Sequence, residues 1–120
     1  MFKLISDLPD NVLGVEATSK VISDDYEQVL LPALKQKRAA HDKIRILYVL
    51  GEEFEGYEAG AMWEDMKLGF QDPRIWEKIA IVTDNDRVKH GMSAFGWMIP
   101  GEVRVFELDD LDDAKEWITA

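Results

Sequence analysis

The chain has 120 residues, 47% of them hydrophobic, and a formal net charge of −10. This length suits one core, so residues 1–120 are predicted to form a single domain. The acidic balance disfavours DNA, RNA and anionic bilayers as partners, because binding them requires Lys and Arg to replace counterions. No window reaches the roughly 18 consecutive apolar residues of a membrane span, and no signal peptide is recognisable, so we predict a cytoplasmic protein.

The N-terminal third is predicted to contain a β-hairpin and a helix. Phe2–Ser6 is a short predicted strand, and Val12–Thr18 alternates apolar and polar side chains as a half-exposed strand does. A helix is predicted to begin near Ser23, where short oxygen-bearing side chains can accept hydrogen bonds from the first turn. Pro32 predicts a kink or break in this helix, because proline removes a backbone hydrogen bond and clashes with the preceding turn.

Strands and helices alternate through the rest of the chain. Buried strands are predicted at Ile44–Leu50 and Ile79–Thr83, with a short last strand at 103–106. Apolar stripes predict helices over 57–70, from 86 to about 95, and from Asp109 or Asp110 towards the C-terminus. The predicted fold is therefore α/β: a hairpin, then repeated βα units, with a mixed, mostly parallel sheet of about five strands flanked by about four helices.

An oxygen-rich segment follows the second buried strand. A calcium loop needs oxygen ligands at alternate positions and then a glycine; Asp84 and Asp86 fit this spacing, but Val88 and Lys89 do not. We therefore predict no metal site. Instead, Asp84, Asn85 or Asp86 is expected to cap the following helix, a contact that contributes roughly 1 kcal/mol.

Motifs for catalysis are incomplete. Gly51–Gly56 has the glycine spacing of a phosphate-binding loop, but a tyrosine and a glutamate replace its lysine and hydroxyl residue. Ser93 falls inside a predicted helix instead of at a strand-to-helix elbow, so His90 and Ser93 are expected to be neighbours on a polar helical face. His41 is expected to be exposed and without a partner. These patterns predict no enzymatic activity and no cofactor.

Nine acidic residues follow the three C-terminal predicted strands. The carboxyl ends of parallel strands share one edge of a sheet, so these acids are expected to form one rim that suits a cation or a basic partner. The alternative is a purely structural role, since helix N-termini attract carboxylates whatever the function. The nine are Glu52, Glu53, Glu55, Asp84, Asp86, Asp109, Asp110, Asp112 and Asp113.

An apolar segment lies between the third predicted helix and the last strand, where a chain is usually exposed and polar. It contains Phe95, Trp97, Met98 and Ile99. Exposed apolar patches often mark contact sites, so we predict that this segment mediates homodimerisation or partner binding, with burial over the sheet as the alternative.

Several stretches together have the pattern of a known family: Tyr26–Leu34, Ile44–Leu50, Phe54–Tyr57 leading to Met62–Asp65, Ile79–Val82, and Glu102–Phe106. On these stretches the whole chain resembles the SpoIIAA-like family of small bacterial proteins. That family is grouped with the STAS domain (sulfate transporter and anti-sigma-factor antagonist) and with the CRAL-TRIO lipid-binding fold.

The resemblance implies a non-enzymatic regulatory or protein-interaction module. Anti-sigma-factor antagonists dock on a partner protein and are switched off by phosphorylation of a serine at the start of the helix after the central strand. This chain has no Ser or Thr between Tyr48 and Arg74, and Glu52, Glu53 and Glu55 occupy that region. The resemblance therefore implies docking without the phosphoswitch, and we expect these glutamates and the Phe95–Ile99 segment to bind partners.

The lipid-binding side of the resemblance implies an alternative function. A small apolar ligand or lipid would then lie between helices and sheet, in a space lined by Met62, Trp63, Met66, Phe95 and Trp97.

Overall fold

The computed structural model describes residues 1–58, 73–95, 97 and 101–120. These residues form a five-stranded sheet whose strands lie side by side in chain order. The first pair is antiparallel and the other three pairs are parallel, which confirms the predicted mixed α/β sheet. The strands are β1 (Phe2–Ile5), β2 (Val12–Val21), β3 (Ile44–Tyr57), β4 (Trp76–Thr83) and β5 (Glu102–Phe106).

The described helices follow β2, β4 and β5. They are α1 (Ser23–Asp25), a π-helical turn (Tyr26–Leu30), α2 (Leu31–Ala40), α3 (Asp86–Phe95) and α4 (Leu111–Thr119), with short 3-10 turns at Pro73–Ile75 and Leu108–Asp110. The helix predicted over 57–70 was expected to begin at Tyr57, which is instead the last residue of β3; almost all of its other residues lie outside the described part. Among the described residues, no helix is long and apolar enough to cross a membrane.

Helices cover both faces of the sheet. Parallel strands that advance in one direction are joined by right-handed crossovers in almost all known folds, so the described helices that follow β2 and β4 are expected on the same face. Tyr26, Leu30 and Leu34 are buried on that face, and Val88 of α3 packs against the same cluster. The opposite face is covered by α4, whose Ala114 and Ile118 are both 0% exposed and pack against apolar side chains of β2, β3 and β4.

Pro32 distorts the first helical segment without breaking it. The chain stays helical from Ser23 to Ala40, and the Leu31 amide donates to the Tyr26 carbonyl, five residues earlier, in the π turn. Pro32 cannot donate to the residue four positions before it, and its ring needs room beside that turn. A widened turn supplies this room, so the predicted break is absent and the distortion takes the form of a π turn.

The strand predicted at Ile44–Leu50 continues for seven further residues, to Tyr57. The last pair between β3 and β4 joins Leu50 to Thr83, whereas β2 and β3 continue past that level. The predicted end of this strand at Leu50 was therefore wrong, because Gly51–Gly56, which has the glycine spacing of a phosphate-binding loop, lies within β3. The extension pairs with β2 after a register shift, through Ser19 with Phe54, Lys20 with Gly56 and Val21 with Tyr57.

Two cations hold the end of α4 against the sheet. Arg45 Nη1 donates to the carbonyl oxygens of Ile118, at 2.8 Å, and Ala120, at 2.6 Å. Lys78 Nζ donates to the Trp117 carbonyl at 3.2 Å and lies 5.0 Å from the centroid of the Trp117 ring. Positive charge at this end complements the helix dipole. Trp117 is half-buried, with the cationic groups of Lys78 and Arg104 over its ring.

Candidate functional site

The junction between β4 and α3 is held by a helix cap. Asn85 Oδ1 accepts a hydrogen bond from the Val88 amide at 3.2 Å, and the buried Thr83 Oγ1 accepts one from the Asn85 amide at 3.0 Å. The predicted capping role of this segment is confirmed, and Asn85 is the residue that performs it. At α4, by contrast, Asp110 occupies the N-cap position but makes no capping side-chain hydrogen bond.

Asp84 connects two junctions instead of capping a helix. Its Oδ1 accepts a hydrogen bond from the Leu108 amide at 3.0 Å, so the segment after β4 is tied to the segment after β5. Lys89 Nζ lies 3.7 Å from Glu107 Oε1 across the same gap. The end of β4 also lies beside β3, as the last pair in their register shows. The strand ends thus meet at one edge of the sheet.

We define the carboxyl edge as the four segments at and beyond the ends of the parallel strands: residues 19–27, 51–58, 84–89 and 107–113. They contain 14 acidic and three basic residues, a formal charge of −11, so the rest of the chain totals +1. The net negative charge of the protein therefore comes from this edge, because the 10 acidic and 11 basic residues elsewhere nearly cancel. The sequence prediction omitted five of these acids, because it did not include the segment after β2 and took too short a segment after β3 and after β5. The five are Asp24, Asp25, Glu27, Glu58 and Glu107.

The carboxylates at this edge have two different origins. Asp86 lies in the first turn of α3, and Asp112 and Asp113 lie in the first turn of α4, where the helix dipole favours negative charge. Glu52, Glu53 and Glu55 are exposed side chains of a β-strand. The helix dipole therefore explains the first set but not these three glutamates.

The described ranges hold no group of three or more His, Asp or Glu placed to bind a metal ion. His90 and Ser93 are both exposed on α3, as the sequence predicts for a polar helical face. This arrangement lacks the strand-to-helix elbow on which a serine nucleophile is usually presented.

Trp97 is exposed at the opposite end of the sheet. It is 81% exposed, and its Nε1 donates to the Ala94 carbonyl at 3.1 Å. Helix α3 starts at the carboxyl end of β4, and the chain re-enters the sheet at Glu102, which pairs with Lys78 near the amino end of β4. Trp97 lies between these two points and close to Glu102 in the chain, so it is placed towards the amino ends of the strands. The structure therefore separates Trp97 from Glu52, Glu53 and Glu55. Met98, Ile99 and the Phe95 side chain lie outside the described residues.

A cavity of about 300 Å³ lies between the β1–β2 hairpin and α2. Its walls combine apolar and polar side chains, among them Leu4, Leu13, Ala33, Gln36 and Lys37. This is not the predicted ligand space, whose residues Met62, Trp63 and Met66 lie outside the described part of the chain. The apolar-ligand function thus stays a prediction.

His41 has a partner, contrary to expectation. Its Nε2 lies 2.6 Å from Oδ2 of Asp10 in the hairpin turn, and Lys37 Nζ donates to the Asp10 carbonyl at 2.8 Å. The hydrogen bond from His41 is the main cause that lowers the pKa of the Asp10 carboxyl below its ordinary value. The two residues are 31 positions apart, so sequence spacing gave no sign of this contact.

The described sheet, with helices on both faces, defines a mixed α/β fold. A family model described as SpoIIAA-like matches residues 12–119. The chain therefore belongs to the SpoIIAA-like family, and the resemblance found in the sequence is confirmed.

A solved structure is also similar to the chain. It is an uncharacterised protein of the DUF3478 family with a SpoIIAA-like fold, from Shewanella loihica PV-4. Sequence identity is 27% and the TM-score is 0.76, over 98% of this chain and 92% of that chain. A search of curated proteins gave no match.

Proposed function

We propose that the protein is a non-enzymatic interaction module that docks on a basic surface of a partner protein through its carboxyl edge. The observation that carries this proposal is the position of the charge: 14 acidic residues against three basic ones at one edge of the sheet. Three of the acids, Glu52, Glu53 and Glu55, are exposed on a strand where helix capping does not require them.

Anti-sigma-factor antagonists, which the family resembles, provide the functional analogy because they act by docking on another protein. In this chain the region between Tyr48 and Arg74 has no residue for Ser or Thr phosphorylation and carries permanent carboxylates instead. A strongly negative edge steers a positively charged partner during encounter and sets its orientation. The expected binding is therefore fast, salt-sensitive and independent of Ser or Thr phosphorylation between Tyr48 and Arg74.

A matched pair of charge-reversal variants tests the proposal. One variant reverses the three strand glutamates, and the control reverses three exposed acids outside the carboxyl edge, so both change the net charge equally. The first is Glu52→Lys/Glu53→Lys/Glu55→Lys, and the control is Asp42→Lys/Glu102→Lys/Glu116→Lys.

Partners captured from a bacterial lysate by the immobilised wild type are purified, and their binding to all three proteins is measured by calorimetry at low and moderate salt. We expect the strand variant to bind at least about tenfold more weakly, the control within about threefold of wild type, and the wild-type affinity to fall with salt. Equal losses in both variants, or binding that ignores salt, would refute docking through this edge.

Trp97 supports a second contact surface. An indole that is 81% exposed beside α3 is the kind of side chain that is buried when two proteins associate. We propose that it contributes to a homodimer through the Phe95–Ile99 segment. Light scattering coupled to gel filtration should show a dimer for the wild type and for the control Ser93→Asp, which adds one negative charge on the neighbouring helix α3, and a monomer for Trp97→Asp. A monomer in all three would exclude the homodimer.

A further inference from the structure

Strand β1 forms one edge of the described sheet, where β2 is its only strand neighbour. The Met1 amino group donates to the Thr18 carbonyl at 2.7 Å, and the Thr18 amide donates to the Met1 carbonyl at 2.8 Å. Bonded and non-bonded pairs alternate along an antiparallel ladder, so Phe2 and Leu4 are in non-bonded pairs with β2. Their N–H and C=O groups therefore point away from β2, and no described residue supplies a hydrogen-bond partner for them.

The outer side of β1 is exposed on both faces of the sheet. Phe2 packs in the core cluster beneath α2, and side chains alternate along a strand, so Leu4 faces α2 and Lys3 faces the other way. Leu4 is 55% exposed, and Lys3 is exposed as well. The described chain therefore leaves this edge uncovered, both at the backbone and at the side chains on either face.

The cavity between the hairpin and α2 lies beside Leu4. Leu4, Leu13 and Ala33 contribute apolar walls, and Gln36 and Lys37 of α2 contribute polar groups. Leu13 is buried whereas Gln36 is exposed, so the apolar part of the cavity lies deeper than the polar part. At about 300 Å³ the cavity is at the lower limit for a small-molecule pocket and has room for one large side chain.

Two contacts join the walls of this cavity. Asp10 lies in the turn between β1 and β2, and its carbonyl accepts a hydrogen bond from Lys37 Nζ at 2.8 Å. Its Oδ2 lies 2.6 Å from Nε2 of His41, which follows the end of α2. These contacts fix the hairpin turn against the helix, so the cavity is formed before a ligand binds. A preformed site avoids the cost of ordering its walls on binding.

We infer that this edge is a second binding site, which accepts an extended partner segment as a strand beside β1 and takes one large apolar side chain of that segment into the cavity. The inference is independent of the proposed function, because β1 is not part of the carboxyl edge. A residue paired with Leu4 projects to the same face as Leu4, towards α2. Hydrogen bonds to the backbone of Phe2 and Leu4 would align the segment, and the cavity would supply the specificity.

Charge favours acidic residues near the apolar one. Lys3 and Lys37 are the cations beside the site, and neither forms an ion pair with a described residue. In an added strand, the residues next to the apolar one project to the face of Lys3, and those two positions away project to the face of α2 and Lys37. A second copy of β1 is a poorer occupant, because Phe2–Ser6 contains a lysine and no acid. The expected segment is therefore Leu or Phe flanked by Asp or Glu.

A fluorescein-labelled peptide of about nine residues, with Thr and Glu alternating around a central Leu, tests the inference. Three control peptides differ from it by one change each: Ala in place of the Leu, a methyl group on the Leu nitrogen, or a methyl group on the nitrogen of the next residue. Successive nitrogens of a strand point to opposite sides, so only one of the two methyl groups faces β1. Binding to the full chain is measured by fluorescence anisotropy, and the contact is located by amide NMR shifts and hydrogen exchange.

We expect the Leu peptide to bind, to protect the amides of Phe2 and Leu4, and to bind at least about tenfold more tightly than the Ala peptide. One methyl group should weaken binding about fivefold and the other less than about twofold. Lys3→Glu should weaken binding more than the control Lys35→Glu, which makes the same charge change at another exposed lysine.

Each part of the inference can fail separately. Equal effects of the two methyl groups would overturn strand pairing, and equal affinities of the Leu and Ala peptides would overturn the role of the cavity. Equal losses in Lys3→Glu and Lys35→Glu would overturn the choice of an acidic segment. No binding, or protection at β5 or the carboxyl edge instead of β1, would overturn the site. Conversion of a dimer to a monomer by the peptide would assign this edge to a second copy instead.

Discussion

Gly101 should be the least replaceable of three glycines in this fold. It precedes β5 with φ +85°, and a Cβ atom placed there would lie 2.7 Å from the carbonyl oxygen of Trp76 at the start of β4. Gly56 shares the positive φ, at +112°, but its Cβ would meet no described atom within 4 Å. Gly91, in α3, has neither problem. The three Gly→Ala variants therefore separate backbone strain from steric overlap.

The expected free energies follow from these differences. Holding alanine in a positive-φ conformation costs about 1–3 kcal/mol, which is the full effect expected at Gly56. At Gly101 the added Cβ would overlap with backbone atoms, and only a movement of the turn away from β4 would relieve this overlap. Overpacking of this kind adds about 1–3 kcal/mol to the cost of the positive φ. At Gly91, alanine should stabilise the helix by up to about 1 kcal/mol.

Urea unfolding, followed by tryptophan fluorescence and far-ultraviolet circular dichroism, measures the three differences. With a slope of about 1–3 kcal/mol per molar urea, the midpoint should fall by about 1 M or more for Gly101→Ala, fall less for Gly56→Ala and rise for Gly91→Ala. Equal losses at Gly101 and Gly56 would show that the contact with Trp76 does not constrain the turn. A loss of stability in Gly91→Ala would contradict the open space assigned around that glycine.

Three further predictions concern individual polar contacts. Arg45→Met should destabilise the fold by about 1–3 kcal/mol, because it removes a partly buried cation from the carbonyl end of α4; urea unfolding measures this, and amide exchange should rise in the last turn of that helix. Asn85→Ala should cost about 1 kcal/mol through loss of the α3 cap, whereas Asn85→Asp should keep most of it. His41 lowers the pKa of the Asp10 carboxyl below 3.8, so the stability that this pair contributes is present above that pH and is lost as the pH falls through the lowered pKa. In urea titrations, the stability difference between wild type and Asp10→Asn should therefore shrink over that acid range. A difference that stays constant would contradict the pairing.

Local signals in the sequence were sufficient for the elements whose determinants are neighbours in the chain. The cap at Asn85 lies three residues from the amide that it binds, and the apolar run that opens β3 is interrupted only by Arg45. The distortion at Pro32 was also placed correctly, although its form was not, because whether a helix breaks or widens depends on what the helix packs against. Tyr26 and Leu30, both buried in the π turn, keep the segment attached to the sheet.

Contacts between distant segments could not be predicted in the same way. The stretch Gly51–Tyr57 has two glycines and three acids, a composition typical of a loop, and it becomes a strand only because β2 runs beside it. The pair formed by Asp10 and His41 likewise depends on the end of α2 returning to the hairpin. In both cases a residue takes a role that its own neighbours in the chain do not favour.

The extension of β3 changes how the missing phosphoswitch is interpreted. A phosphorylated serine adds charge on demand, and its effect depends on a kinase and a phosphatase. Glu52, Glu53 and Glu55 lie on a strand fixed by its pairing with β2, so their charge is present whenever the protein is folded. If these glutamates bind a basic partner, binding cannot be released by removing a phosphate from that region. Occupancy of this strand would then depend on the concentrations of the protein and the partner and on the ionic conditions, all of which alter it gradually, so the strand would act as a constitutive docking element and not as a switch.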